Sequence, residues 1–67
     1  MIPFYVCHTD TKEVYIVLNI TNTEESDFYL LVDRITKKFN VIDGKEFKLF
    51  YEFLGFDYTN PLIKKDI

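Results

Sequence analysis

Cys7 and His8 are the side chains of this sequence best suited to nucleophilic or metal chemistry, and they are neighbours. Adjacent residues of an extended strand point to opposite faces, so the two cannot act on one atom together. A structural zinc site takes four ligands, and two fall short. A buried, inert Cys7 and an edge His8 are therefore expected, since unpaired cysteine is among the most buried residue types. The densest carboxylate group is Glu24, Glu25 and Asp27, extended by Asp33. Its spacing suits neither acid–base catalysis nor a calcium loop. It suits a helix N-terminus or the steering of a charged partner. The bases Arg34, Lys37, Lys38, Lys45 and Lys48 could meet phosphate, but Asp33, Asp43 and Glu46 interleave them, and nucleic-acid affinity needs several uncompensated phosphate contacts. These patterns predict no enzymatic activity, no metal, no cofactor, no small-molecule substrate and no nucleic-acid partner.

Aromatic residues carry the stronger signal. Phe and Tyr supply twelve of the 67 residues (seven and five), and Ala supplies none. A domain of about 60 residues buries only ~60% of the surface its unfolded chain exposes. Rings left over after a core is assigned must face a partner, a second copy or water. Leu49, Phe53, Phe56 and Tyr58 are the predicted interface, joined by Tyr5 and Tyr15 on a sheet face and by Leu30, with Glu24, Glu25 and Asp27 steering the approach.

The elements that must position these residues follow from periodicity. Ile2 to His8 and Glu13 to Ile20 are rich in β-branched and aromatic residues and flank the polar turn Thr9-Asp10-Thr11-Lys12, which predicts a β-hairpin. Placing Phe4 opposite Leu18 and Val6 opposite Ile16 puts both apolar sets on one face, and this requires a loop of three or five residues. Tyr5, Cys7, Tyr15 and Val17 would then share the other face. Thr21 with Glu24 and Asn22 with Glu25 form overlapping capping-box signals, and Phe28, Leu31, Val32, Ile35 and Phe39 follow at helical spacing. A helix over about 23–38 is expected, with Leu30 on its outer side. Asp43 with Glu46, Ile42 with Phe47, and Gly55 predict a second, shorter helix over 45–54, with Leu49 and Phe53 turned away from its core stripe. The fold class expected is α+β, a ββαα order with a third short strand near 40–42, in one domain over 1–67. A mobile tail is expected over 59–67.

Composition bounds the class. The balance of 48% hydrophobic and 28% charged residues is that of a globular chain. No apolar run approaches the ~20 residues that span a bilayer, so no membrane partner is expected. The N-terminus has no basic leader, and one cysteine cannot form an internal disulfide, which together predict a reducing cytoplasm, that of a host cell if the gene is viral. Residues encoded by A/T-rich codons (Phe, Tyr, Ile, Asn, Lys) number 30, against five Ala, Gly, Arg and Pro. That bias fits a phage or another mobile element of an A/T-rich genome. Residues 1–33 carry six acids against Lys12, a balance of −5, and the remainder carries seven bases against five acids. The function expected is a small protein-binding module that docks on and modulates a larger host protein, with a homodimer as a further expectation. The alternative is a dimeric nucleic-acid-associated regulator using the basic residues at the joint between the two helices.

Overall fold

A computed structural model describes residues 2–56, to which every structural statement below refers. Strands β1 (Phe4–His8), β2 (Val14–Asn22), β3 (Asp27–Asp33) and β4 (Phe39–Asp43) run as an antiparallel meander. A single helix, α1 (Gly44–Phe50), then leads into β5 (Tyr51–Gly55), which pairs antiparallel with β1. The strand order is β4-β3-β2-β1-β5. The class is mainly β. This overturns the expected ββαα arrangement, although the first two strands, a strand over 40–42 and a helix beginning after Asp43 are present.

The helix expected over 23–38 does not exist, and the hydrogen bonds show why. Thr23 Oγ1 accepts from Ser26 N–H at 3.0 Å and donates to Ser26 C=O at 2.6 Å. A helix N-cap uses the same side chain to N–H bond three residues on, so a polar run such as Thr21-Asn22-Thr23 does not by itself separate a helix start from a hairpin turn; the expected caps Thr21 and Asn22 pair instead with Phe28 and Asp27 in the ladder. Here Thr23 N–H also donates to Ser26 C=O at 2.9 Å, which closes the turn between β2 and β3. Asp27–Asp33 then pairs along β2, from Asn22↔Asp27 to Tyr15↔Asp33, with Leu18 bulged out of the ladder. Aromatic and β-branched residues such as Phe28, Tyr29 and Val32 suit that pairing. Leu31 turns to one face of the sheet and Val32 to the other.

The hairpin register also differs from expectation. Phe4 lies opposite Val17 and Val6 opposite Tyr15, because the loop holds four residues and not three or five. The loop builds itself. His8 Nδ1 accepts from the N–H groups of Asp10 (3.2 Å) and Thr11 (3.3 Å), and Lys12 N–H donates to His8 C=O at 2.9 Å with Lys12 in the left-handed region at φ 66°. The turn between β3 and β4 repeats this arrangement. Asp33 Oδ1 accepts from Ile35 (2.8 Å) and Thr36 (2.9 Å), and Lys37 N–H donates to Asp33 C=O at 2.9 Å with φ 65°. Thr11 and Thr36 accept from the next N–H but one in the same way. His8 is thus a turn-forming residue on an inner strand, not an edge histidine.

This register gives the sheet two distinct faces. On one, Val6, Val17 and Leu31 are fully buried beneath Phe4, Tyr15, Ile20, Tyr29, Ile42, Phe47 and Tyr51. On the other lie Tyr5, Cys7, Val14, Ile16, Phe28, Leu30, Val32, Phe39 and Val41. Asp43 caps α1, its Oδ1 accepting from Glu46 N–H at 2.8 Å. The helix stops at Phe50, earlier than the 45–54 expected, because Tyr51 to Gly55 find partners along β1. Four strand spacings would hold the edges of a flat sheet ~19 Å apart. The seven residues of α1 rise only about 10 Å between β4 and β5. The sheet therefore curls, and α1 closes its concave side by laying Phe47 flat between Tyr29 (3.9 Å) and Tyr51 (5.5 Å).

Candidate protein interface

The exposed rings collect where β5 meets the start of β1. Phe53 sits 5.6 Å from Phe4 and 5.1 Å from Phe56, and Phe56 closes the group at 6.3 Å from Phe4. The planes are tilted or edge-on, the arrangement that ring quadrupoles favour. Phe4 reaches the buried core, whereas Phe53 and Phe56 stand 54% and 53% exposed. Leu49 projects from α1 at 72% exposed. Strand alternation brings Phe53 onto the Phe4 side, since it pairs with Val6. A bulge between Tyr5 and Val6 shifts the end of β5 by one residue, so Gly55, at φ 148°, and not Leu54, faces Tyr5.

The other anticipated interface residues are scattered. Tyr5 and Tyr15 do not share a face. Tyr15 belongs to the core side, edge-on to Tyr51 at 5.7 Å, and its hydroxyl donates to Glu13 Oε1 at 3.5 Å. Burial, followed by the nearby Glu13 carboxylate, raises the Tyr15 hydroxyl above its usual range, and burial followed by Glu46 does the same for Tyr51. Tyr5 and Leu30 are half-buried on the opposite face. Tyr58 and the tail expected over 59–67 lie outside the described residues. Glu24 and Glu25 occupy the exposed β2–β3 turn and Asp27 begins β3, so they steer, if at all, from a hairpin tip and not from a helix N-terminus.

The basic residues do not converge. Arg34, Lys37 and Lys38 sit at the β3–β4 turn, Arg34 buried, while Lys45 and Lys48 ride on α1. Strand β4 separates the two sets by ~17 Å. The joint on which the nucleic-acid alternative rested is absent. Lys37 Nζ is engaged locally with Arg34 C=O at 2.7 Å.

The groups with reactive potential serve the fold. Cys7 is buried, with its thiol toward His8 C=O at 3.5 Å. The His8 ring is stacked on Phe50 at 5.8 Å and edge-on to Tyr51 at 5.0 Å. Among the described residues no cluster of His, Cys, Asp and Glu could hold a metal. A shallow cavity of about 260 Å³ lies between the two similar turns, lined by Lys12, Glu13, Val14, Asp33, Ile35 and Thr36. Of its two carboxylates, Glu13 accepts from the Tyr15 hydroxyl and Asp33 is committed to the turn. The N–H groups of Thr36 and Ile35 hold that carboxyl below its usual range despite an opposing burial effect.

Sequence reasoning missed a second apolar surface. Phe39 and Val41 on β4 are 64% and 65% exposed, beside Phe28 on β3. The alternation in Phe39-Asn40-Val41 carries that signal, but Phe39 also fits the helical spacing that runs from Phe28. No described helix is long and apolar enough to cross a membrane. No family model matches this chain, and no curated protein or solved structure gives a significant match.

Proposed function

We propose that this chain is a non-enzymatic protein-binding module, a small modulator that docks on a larger protein through Phe53, Phe56 and Leu49. The observation that supports the reading is the group of two half-exposed rings braced on Phe4, with Leu49 more exposed still. Aromatic anchors of this kind dominate interface energetics because each removes a large, rigid apolar area from water at small entropic cost. The acids Glu24, Glu25 and Asp27 would accelerate encounter with a basic partner without adding much affinity. The engagement of Cys7 and His8 in the fold supports a binding role over a catalytic one.

The test is capture from the lysate of the native host by immobilised wild-type chain, in parallel with Phe53→Asp and Leu49→Asp. A partner enriched by the wild type and lost from both folded variants supports the reading. Enrichment that is equal across all three chains refutes this surface. A Phe53→Asp chain that unfolds would place Phe53 in the core and remove it from the interface.

A further inference from the structure

We infer that β4 is a self-association edge, and that two copies of this chain pair their β4 strands antiparallel about a two-fold axis at Asn40. This surface lies at the opposite end of the sheet from β5, so the inference stands apart from the docking role of Phe53 and Phe56.

The backbone makes the first argument. Asp33 N–H donates to Lys38 C=O at 2.8 Å, which marks 33 and 38 as a hydrogen-bonded pair. Such pairs alternate along an antiparallel ladder. Asn40 opposite Leu31 and Ile42 opposite Tyr29 are therefore the next hydrogen-bonded pairs, and they aim the polar groups of Asn40 and Ile42 at β3. The N–H and C=O groups of Phe39 and Val41 then point outward, along the open side of β4. A regular edge of this kind is a template for another strand unless a charge, a proline or a bulge blunts it. Strand β4 has no Pro and no bulge, and its one charge, Asp43, stands at its last position, where it also caps α1, and not in the middle of the edge. The other edge, β5, is blunted by its shifted pairing and by Glu52.

The side chains make the second argument. The pairing keeps both apolar faces on one side only if the paired residue numbers sum to an even value. A dyad at Val41 would set Phe39 against Asp43 of the second copy. A dyad at Asn40 sets Phe39 against Val41 twice, the aromatic with β-branched pairing that stabilises cross-strand contacts. It also brings the Lys37–Lys38 turn of each copy alongside Asp43 of the other, so the ends of the paired strands are complementary in charge. A parallel arrangement would oppose like charges.

The area is the third argument. Phe39 and Val41, the two residues the second copy would meet, leave about 200 Å² of apolar surface open, taking ~150–200 Å² for a large side chain and their exposures. A small specific interface of ~600 Å² per partner is about 57% apolar and so holds ~340 Å² of apolar surface. The smaller area here points to a weak, concentration-dependent dimer that leans on the ladder hydrogen bonds.

Sedimentation of the full chain from ~1 μM to ~1 mM tests this directly. The mass should rise from 8.1 kDa toward twice that value. Val41→Lys and Phe39→Lys, both at exposed positions, should weaken association at least ~30-fold while keeping the far-UV signature of the sheet. Amide exchange in the wild type needs no substitution, and the Phe39 and Val41 amides should slow as the dimer forms. A monomer at ~1 mM, or a dimer with unchanged exchange at those amides and unchanged affinity in both lysine variants, overturns the inference. The two proposals separate cleanly, because Phe53→Asp should leave self-association intact and Val41→Lys should leave partner capture detectable.

Discussion

Replacing Leu31 by Ala should destabilise the fold severely, whereas replacing Ile35 should hardly matter, and the contrast tests the sheet itself. The two residues are four apart, on the same stripe of the helix that spacing suggests, where both would be core. In the sheet, Leu31 has no exposed surface and lies opposite Val17, whereas Ile35 stands 67% exposed in the β3–β4 turn. Losing three buried carbon groups at ~0.8 kcal/mol each costs about 2.4 kcal/mol, and the cavity adds to it. Only Val6 and Val17 are comparably buried neighbours, so the site can relax partly and about 3 kcal/mol is expected. A chain of this length has a total stability of about 3–10 kcal/mol. With a urea m-value of ~1 kcal/mol/M, the unfolding midpoint should fall by about 3 M, or the variant should be largely unfolded without denaturant. Ile35→Ala should move it by less than ~0.5 M. The assay is urea unfolding followed by circular dichroism at a concentration where the chain is monomeric. Midpoints for the two variants within ~0.5 M of each other would refute the assignment of Leu31 to the core face and of Ile35 to a turn.

Two further predictions concern the repeated turn. Lys12→Gly and Lys37→Gly should each stabilise the chain by about 0.5–1 kcal/mol, because both lysines hold a left-handed conformation that only glycine adopts without steric cost; a lower thermal midpoint in either variant would contradict the geometry. The Asp33 carboxyl lies below its usual value of 3.8 in the fold because Thr36 and Ile35 donate to it. A lowered folded value means that the ionised form stabilises the fold above that pH and that the contribution is lost as acid protonates the group. The stability difference between the wild type and Asp33→Asn should therefore be constant above about pH 5 and shrink toward pH 2, and a difference that stays flat across that range would exclude the charge as its source.

The legible parts of the chain are those decided within a few residues. Asp43 and Glu46 announced the start of α1, and the cap bond is there. The β-branched runs around Val6 and Val17 announced two strands. Among the interface candidates, Leu49 and Phe53 read as apolar residues turned from the core and Phe56 as the ring that follows them, and all three are exposed. Helical spacing places Leu49 and Phe53 on the flank of a helix with Phe56 beyond its end, yet Phe53 is held by a strand. The repeated turn was also hidden, because a histidine ring and a carboxylate play the same acceptor role in it and no residue pattern advertises that equivalence.

Local chemistry determined that the chain turns at Thr9 to Lys12, where α1 is capped, and that large rings exceed the space available to shelter them. Tertiary pairing alone decided that residues 27–33 are a strand, which face each side chain takes, and that Tyr5 and Tyr15 part company. The physical reason is that a polar run such as Thr21-Asn22-Thr23 and an apolar spacing such as Phe28, Leu31 and Ile35 serve a helix or a hairpin equally well at short range. The neighbouring strand breaks the tie by supplying hydrogen bonds along β3 and a partner, Val17, for Leu31.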